Sequence, residues 1–181
     1  MKTIIGISGS LRKGSFNSAL LREAAKHAPP GVQIVIKSIE AFPLYNWDVE
    51  KESGIPTPVQ ELKDAISEAQ GLLVATPEYN NSLPGVLKNA IDWLSRPSSD
   101  IERVFRGKPV AIMGASTGRF GTTLSQTAWL PVLRVLGTKP WFGTRLLIAR
   151  ANQVFGDDGE VKDDDVKEQI RKFVQGFAAS I

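Results

Sequence analysis

Short apolar runs that alternate with helical patterns are the feature of this sequence that most restricts its fold. The run Gly71–Thr76 is almost entirely apolar, which is typical of a strand whose two faces are both covered by helices. Similar runs predict strands over residues 2–8, 32–37, 109–113 and roughly 138–149. Helical patterns separate these runs, and the connections are short. The alternation therefore predicts an α/β fold in which helices cover both faces of a parallel sheet.

Capping residues and apolar periodicity predict where the helices lie. A first helix is expected to be capped by Ser15 or Asn17 and to end near His27, before a Pro-Pro-Gly sequence. Further helices are predicted over residues 58–69, 83–95, 122–136 and 164–179. Residues 41–47, AFPLYNW, are expected to form an aromatic loop punctuated by proline.

The composition excludes several classes of protein. The chain has 181 residues, 42% of them hydrophobic and 23% charged, and this predicts a single domain spanning residues 1–181. The absence of cysteine excludes disulfides, thiol catalysis and thiolate metal sites, and the single histidine leaves almost no material for a zinc site. Demanding chemistry must therefore come from a bound cofactor or from hydroxyls and carboxylates.

Charge and hydropathy restrict which classes of partner and which cellular location are expected for the protein. The net charge of +3 is small and its bases are scattered, which argues against a nucleic-acid partner. No apolar run approaches the length of a membrane span, and the first residues do not resemble a signal peptide. The expected location is therefore the cytoplasm, with a small-molecule partner and no membrane.

The loop GSLRKGSFN, residues 9–17, follows the first predicted strand and contains more small polar residues than a turn requires. The hydroxyls of Ser10 and Ser15, with the Asn17 amide and the Arg12 guanidinium, would complete an anion site at a helix N-terminus. A capped, glycine-rich turn with solvated bases is an alternative of equal standing. The loop is neither a P-loop nor a GxGxxG sequence, and a monophosphate is the best fit.

Two further polar loops follow predicted strands. TPEYNNSLPG, residues 76–85, offers backbone amides and an aromatic ring to the edge of a flat heterocycle, or is a polar connection in which Tyr79 packs and Asn80 caps the next helix. Glu78 as a general acid or base is a weak hypothesis, because it has no partner carboxylate. The other loop is GASTGRFGT, residues 114–122. If the strand order is 2-1-3-4-5, these two loops and the first loop converge on one crevice.

The third loop also contains a rival signature. Gly114–Gly118 reads GASTG and satisfies the GxSxG pattern of serine hydrolases. That chemistry needs a histidine after the serine in sequence, whereas His27 lies upstream of Ser116 and is expected to be a surface residue at a helix end. A serine hydrolase is therefore the weaker interpretation.

Taken together, GSLRKGSFN, PEYNNSLPGVLKNAIDWLSR and GASTGRFGT, in this order and at these separations, resemble the NADPH-dependent FMN reductase family of flavodoxin-like proteins, which includes quinone and chromate reductases. The resemblance extends from Ile4 to the last helix. It implies a doubly wound, five-stranded parallel sheet of order 2-1-3-4-5 in three α/β/α layers. It also implies bound FMN, NADPH or NADH as the electron donor, and assembly as a homodimer or homotetramer.

The family's site residues carry over onto this sequence motif by motif. For the FMN phosphate, the resemblance implies Ser10, Arg12, Ser15 and Asn17, with Phe16 alongside. For the border of the isoalloxazine ring, it implies Pro77, Glu78, Tyr79 and Asn80. For the pyrimidine end of the flavin, it implies Ser116, Gly118 and Arg119. Thr117 stands where the family commonly has proline, and this position is not expected to touch the redox centre.

The implied activity is transfer of hydride from the nicotinamide to FMN and of two electrons onward to a small acceptor, with no catalytic side chain and no metal. The acceptor is left open among a quinone, a flavin, an azo compound and chromate. It is expected over the ring near Tyr79 and the loop residues Phe42, Tyr45 and Trp47, although the loop has plain packing as an alternative. A flavodoxin-type electron carrier is an alternative function, but the nearly balanced charge lacks the one-signed field that steers such carriers to protein partners.

Overall fold

A parallel sheet forms the centre of the protein, and the computed structural model describes all of residues 1–181. Its strands are β1 (Lys2–Ser8), β2 (Val32–Lys37), β3 (Gly71–Ala75), β4 (Pro109–Ala115), β5 (Lys139–Pro140) and β6 (Leu146–Ile148). The order is β2-β1-β3-β4-β5. Strand β6 lies on the same side of β4 as β5: β5 pairs with the start of β4, and β6 pairs with its end. All the pairs are parallel. The predicted doubly wound order 2-1-3-4-5 is confirmed.

Helices cover both faces of this sheet. They are α1 (Phe16–Lys26), α2 (Trp47–Ser53), α3 (Thr57–Glu68), α4 (Gly85–Leu94), α5 (Ile101–Val104), α6 (Thr123–Val135), α7 (Ala151–Val154) and α8 (Asp164–Ala179), with a 3₁₀ turn at Ser98–Asp100. No helix combines the length and the apolar composition that crossing a bilayer requires.

The core lies in two layers, one on each face of the sheet, because successive strand side chains point to opposite faces. In β3, Leu73 packs with α1 and α8, whereas Leu72 and Val74 pack with α3, α4 and α6. Strand β1 divides in the same way, with Ile4 on the α1 side and Ile5 on the other. Burial on both faces explains why these strands read as continuous apolar runs and confirms the three-layer arrangement.

The fifth predicted strand, over residues 138–149, is wrong as a continuous element. The chain leaves the sheet after β5 and returns at β6, and the intervening Phe142 is exposed. Trp141 packs this segment against α8, because the centre of its ring lies 5.2 Å from that of Phe173. A Cβ at Gly143 would lie 2.6 Å from the Trp141 indole, so the chain folds back over this ring where only glycine fits.

The aromatic loop predicted over residues 41–47 is followed by a helix that sequence analysis missed. Asn46 caps α2, its Oδ1 accepting from the Asp48 N–H at 2.9 Å. Gly54 ends α2 with φ of +75°. Together, an asparagine before an acidic turn and a glycine after it are the sequence signals of such a helix. The short helices α5 and α7 were also missed.

The segment before α2 lies against α4. Asn89 Oδ1 accepts from the Tyr45 N–H at 2.8 Å, and the Pro43 carbonyl accepts from both Asn89 Nδ2 and Trp93 Nε1 at 2.9 Å. The Tyr45 and Trp93 rings meet edge to face at 5.0 Å. Of the aromatic residues in this segment, Trp47 is the one that is exposed.

Candidate functional site

The carboxyl ends of β1, β3 and β4 open into one cavity of about 260 Å³. In parallel α/β sheets this edge is where ligands bind. The residues that line the cavity come from the loops after these three strands and are Ser10, Arg12, Ser15, Phe16, Asn17, Pro77, Glu78, Tyr79, Ala115, Ser116 and Thr117. The predicted convergence of the three loops is thus what the tertiary structure shows.

Most of the residues predicted for the site line this cavity. The predicted residues that do not line it are Asn80, Gly118 and Arg119. Ala115 and Thr117 line it without having been predicted. Ala115 carries no polar side chain that sequence analysis could single out, and Thr117 was expected to lie away from the redox centre.

Size alone does not distinguish this cavity. A cleft of about 280 Å³ beside α6 is lined largely by apolar side chains such as Leu130 and Phe142. A shallower hollow of about 590 Å³ lies at the opposite, amino-terminal edge of β1 and β2. The cavity at the three loops differs from both because polar residues dominate its lining and because it lies at the carboxyl ends of three neighbouring strands.

The first loop ends at the N-terminus of α1, where Ser15 is the capping residue. Its Oγ accepts from the Ser18 N–H at 3.3 Å. The N–H groups of Phe16 and Asn17, the first two residues of the helix, have no backbone acceptor within the protein. The first turn of α1 contains no acidic residue, so the positive end of this helix is open to an anion.

Hydroxyls and one cation surround this helix end. Ser10 and Ser15 are 8% and 3% exposed, and both hydroxyls act as acceptors within the protein, from Tyr79 Oη at 3.4 Å and from the Ser18 N–H. Their own protons remain for an outside acceptor. The Arg12 guanidinium lies 5.3 Å from the centre of the Phe16 ring and pairs with none of the protein's carboxylates.

Asn17 has a structural role in addition to the one predicted for it. Its Nδ2 donates to the Ala115 carbonyl at 2.8 Å, and its Oδ1 accepts from the Ala115 N–H at 2.9 Å. The side chain is 3% exposed. Since Oδ1 and one N–H are used in this way, only the second N–H of the amide remains for a ligand.

In the second loop, Tyr79 and Ser82 face each other across a tight turn. The Tyr79 N–H donates to the Ser82 carbonyl at 3.1 Å, and the Ser82 N–H donates back at 3.0 Å. Asn80 and Asn81 occupy the turn with φ of +50° and +59°, a conformation that asparagine tolerates better than most residues. Asn80 therefore shapes the turn and does not cap the following helix, whose cap position is Pro84.

Glu78 connects the second loop to helix α6, which follows the third loop. Its Oε2 accepts from the N–H groups of Leu124 and Ser125, at 2.8 and 3.1 Å, in the first turn of α6. The hypothesis that Glu78 is a general acid or base is not supported by this geometry, because the carboxylate is engaged with a helix terminus. Its negative charge also offsets the positive end of α6, so α1 is the helix that an anion meets.

The third loop passes close to the second. A Cβ at Gly114 would lie 2.2 Å from Thr122 Oγ1 and 2.3 Å from the Thr76 carbonyl oxygen, so this glycine permits a contact that no other residue allows. The Ser116 N–H donates to the Ile148 carbonyl at 2.9 Å, and Ser116 Oγ accepts from the Gly118 N–H at 3.1 Å.

The GASTG sequence does not form a hydrolase nucleophile site. Ser116 is absent from the residues with positive φ, and α6 begins only at Thr123, whereas a nucleophile elbow is a strained turn directly between strand and helix. His27 lies at the far end of α1, about 16 Å along the helix from the cavity, with Nε2 3.0 Å from Glu23 Oε1. No histidine is available to activate Ser116.

Comparisons with known proteins agree with this geometry. The sequence profile described as NADPH-dependent FMN reductase matches residues 2–153. The chain belongs to this family. It is 46% identical to the NAD(P)H-dependent FMN reductase of Pseudomonas aeruginosa, over 96% of this chain and 92% of that one. It is 37% identical to the quinone reductase of Escherichia coli K12, over 98% and 94% of the two chains.

A solved structure of similar fold supports the same assignment. FerB of Paracoccus denitrificans, a flavoenzyme NAD(P)H:(acceptor) oxidoreductase, superposes with a TM-score of 0.87 at 34% identity, covering 99% of this chain and 96% of that one. The predictions of a flavodoxin-like fold, of this family, and of an oxidoreductase that uses FMN with NAD(P)H are confirmed.

Proposed function

We propose that the protein passes electrons from NAD(P)H through FMN to a small acceptor, and that residues 1–181 act as one FMN-binding domain. The observation that carries the proposal is the N-terminus of α1, where two backbone N–H groups, two buried hydroxyls and the Arg12 guanidinium converge without an anionic partner in the protein. This donor set fits a phosphate monoester, which accepts several hydrogen bonds and carries negative charge.

The residues of the first loop would hold the phosphate. Ser10 and Ser15 donate their hydroxyl protons, Phe16 and Asn17 donate backbone N–H groups, and Arg12 supplies charge. The Phe16 ring packs under the Arg12 guanidinium and against Phe155, at 5.3 and 5.5 Å, and so restrains the arginine. A Cβ at Gly14 would lie 3.1 Å from Arg12 Nη1, so this glycine leaves room for the folded-back side chain.

The second and third loops would border the flavin ring. Pro77, Glu78 and Tyr79 form the wall of the cavity that belongs to the second loop, and Ser116 and Thr117 form the wall that belongs to the third. When bound, FMN supplies two-electron chemistry between a hydride donor and an acceptor. The chain's own residues orient the ring and limit access to it. Gly118 and Arg119 follow Thr117 in the chain and do not line the cavity, and we propose that they contact the flavin from the end of the third loop.

We propose a quinone as the acceptor, and the quinone reductases among the relatives support this choice. Tyr79 is 46% exposed at the mouth of the cavity and offers a planar ring against which a flat acceptor can pack. Phe42, Tyr45 and Trp47, which sequence analysis also considered for this role, do not line the cavity of this chain. A free flavin, an azo compound and chromate are the competing acceptors.

We also propose that the chain forms a homodimer or homotetramer. Large apolar side chains are exposed in the third loop, on α6 and after β5, among them Phe120, Leu124, Leu130 and Phe142, the first of which is 79% exposed. Exposed apolar surface of this kind is typical of protein contacts. Light scattering on the purified protein measures the assembly directly, and a monomer at micromolar concentration would contradict this proposal.

The proposed function is tested on the purified protein by its visible spectrum and by anaerobic addition of NADPH. We expect flavin absorption that bleaches on reduction and returns when a benzoquinone is added. A colourless protein that takes up no FMN would overturn the proposal. Bleaching that is reversed by a free flavin, an azo compound or chromate at a much higher kcat/KM than by quinones would keep the flavoenzyme and replace its acceptor.

A further inference from the structure

Helix α6 is capped by a residue from another loop. Its own cap residue, Thr122, makes no side-chain hydrogen bond to the helix terminus. Glu78 supplies the cap instead, from a position 46 residues earlier in the chain, by accepting from the N–H groups of Leu124 and Ser125. These are the second and third N–H groups of the helix, which an N-cap side chain ordinarily accepts.

This cap joins two loops that both line the cavity, although Leu124 and Ser125 do not line it themselves. Glu78 belongs to the loop after β3, and α6 begins directly after the loop that contains Ser116 and Thr117. The contact therefore sets how far apart the two loops lie at the cavity. A cap supplied from within α6 would satisfy the same N–H groups without joining the walls.

The base of the two loops is held together independently. Thr76 Oγ1 lies 2.9 Å from Ser125 Oγ and accepts from Trp129 Nε1 at 3.1 Å, and all three residues are buried. This network fixes α6 against the end of β3, below the cavity. The Glu78 cap is the next contact outward from it, so the cap acts on the spacing of the walls while the helix stays docked on the sheet.

We propose that Glu78 is a positioning residue that fixes the width of the flavin cleft by capping α6 across it. The inference rests on the proposed function, because it assigns Glu78 an effect on the bound ring through the two walls. It gives Glu78 no part in proton transfer. Loss of the cap is expected to weaken FMN binding and to shift the flavin reduction potential, since both depend on how closely the walls fit the ring.

The chain offers a matched control for this residue. Asp163 Oδ1 accepts from the N–H groups of Asp165 and Val166, at 2.9 and 3.2 Å, and caps α8 in the same way. Asp163 does not line the cavity. Removing each carboxylate deletes the same kind of cap, but only one of the two caps joins the cavity walls.

The test compares Glu78→Ala, Glu78→Gln and Asp163→Ala by titration of the apoprotein with FMN, by the reduction potential of the reconstituted protein, and by urea unfolding. We expect Glu78→Ala to raise the FMN Kd about tenfold and to shift the potential. Glu78→Gln, whose amide oxygen can accept from the same N–H groups, is expected to restore most of the affinity. Asp163→Ala is expected to lower stability similarly and to leave the Kd and the potential unchanged.

A second variant keeps the inference testable if Glu78→Ala does not fold. Glu78→Asp preserves the charge and shortens the reach by one methylene, so we expect a raised Kd together with faster hydrogen exchange at the Leu124 and Ser125 amides. An unchanged Kd and potential in folded Glu78 variants would show that the residue is only a helix cap and would overturn the inference. Failure of the wild-type protein to bind FMN would instead overturn the proposed function, and the inference with it.

Discussion

Asn17 and Ala115 form a reciprocal pair that joins the start of α1 to the end of β4. The Asn17 amide donates to the Ala115 carbonyl and accepts from its N–H, at 2.8 and 2.9 Å, and both residues are buried. On the edge of β4 that faces β3, where the pairing with β3 ends at Met113, the amide thus takes the place of a strand for Ala115. It also fixes the end of the first loop against the start of the third, and both residues line the cavity.

Replacement of Asn17 by alanine is expected to destabilise the apoprotein. It leaves the N–H and the carbonyl of Ala115 buried without partners, and this costs about 2 to 4 kcal/mol of unfolding free energy. Urea unfolding measures the loss. Ser18→Ala is a neighbouring control, since Ser18 Oγ bonds only to Ser8 Oγ, at 2.9 Å, and a smaller effect is expected. Equal losses in the two variants would contradict the role given to Asn17.

Arg12 is expected to affect FMN binding far more than folding. Arg12→Ala removes the guanidinium from the cavity, and we expect the FMN Kd to rise at least tenfold, because a charge-assisted hydrogen bond is worth about 1.5 to 3 kcal/mol. Lys13→Ala removes the same charge from the adjacent residue, which does not line the cavity. Fluorescence titration of the apoprotein with FMN compares them. Similar Kd values for the two variants would mean that Arg12 contributes only a general positive field.

Gly114 and Gly118 are the two glycines of the GASTG sequence, and their substitution is expected to differ. A Cβ at Gly114 would lie 2.3 Å from the Thr76 carbonyl oxygen, whereas a Cβ at Gly118 would lie 3.4 Å from Ser116 Oγ. Overpacking of this kind costs about 1 to 3 kcal/mol, so Gly114→Ala should lower the thermal midpoint and Gly118→Ala should change it little. If Gly118→Ala were the more destabilising variant, the close-packing explanation would be wrong.

The ion pair between Lys63 and Asp100 is expected to make stability depend on pH in the acid range. Lys63 is fully buried, with Nζ 2.6 Å from Asp100 Oδ2 and 2.7 Å from the Arg96 carbonyl oxygen. The hydrogen bond from Lys63 lowers the pKa of Asp100 below its ordinary 3.8, and a second one from Arg103 acts in the same direction. A depressed pKa of this kind stabilises the fold above pH 4, and the stabilisation is lost as the pH falls through the folded-state value.

Asp100→Asn tests this pair. At pH 7 the variant leaves the Lys63 ammonium buried without its carboxylate, and we expect a loss of about 2 kcal/mol, below the usual cost for a fully buried pair because Asp100 is partly exposed. The difference from wild type should shrink as the pH falls below 4, because the wild-type carboxyl then takes up its proton. Urea unfolding across this range measures it, and a difference that is constant with pH would refute the assignment.

Much of the fold followed from local patterns. Apolar runs predicted β1 to β4 closely, and the inner strands β1, β3 and β4 most directly, because strands buried on both faces leave few alternatives for a run of aliphatic residues. The prediction failed at residues 138–149, where the contact of Gly143 with the Trp141 ring breaks the strand. The position of the Trp141 ring depends on its packing against Phe173 of α8, and no local pattern carries such information.

By itself, the sequence determined the parallel α/β architecture, the three polar loops and the family, since these depend on apolar periodicity and on short motifs of adjacent residues. Only the tertiary structure decided what the polar side chains do once the loops meet. It engages Asn17 with Ala115 and Glu78 with the N-terminus of α6, and it leaves the N-terminus of α1 open. The physical reason is that each of these hydrogen bonds joins residues far apart in the chain, whose distance is set by the packing of the sheet and not by neighbours in sequence.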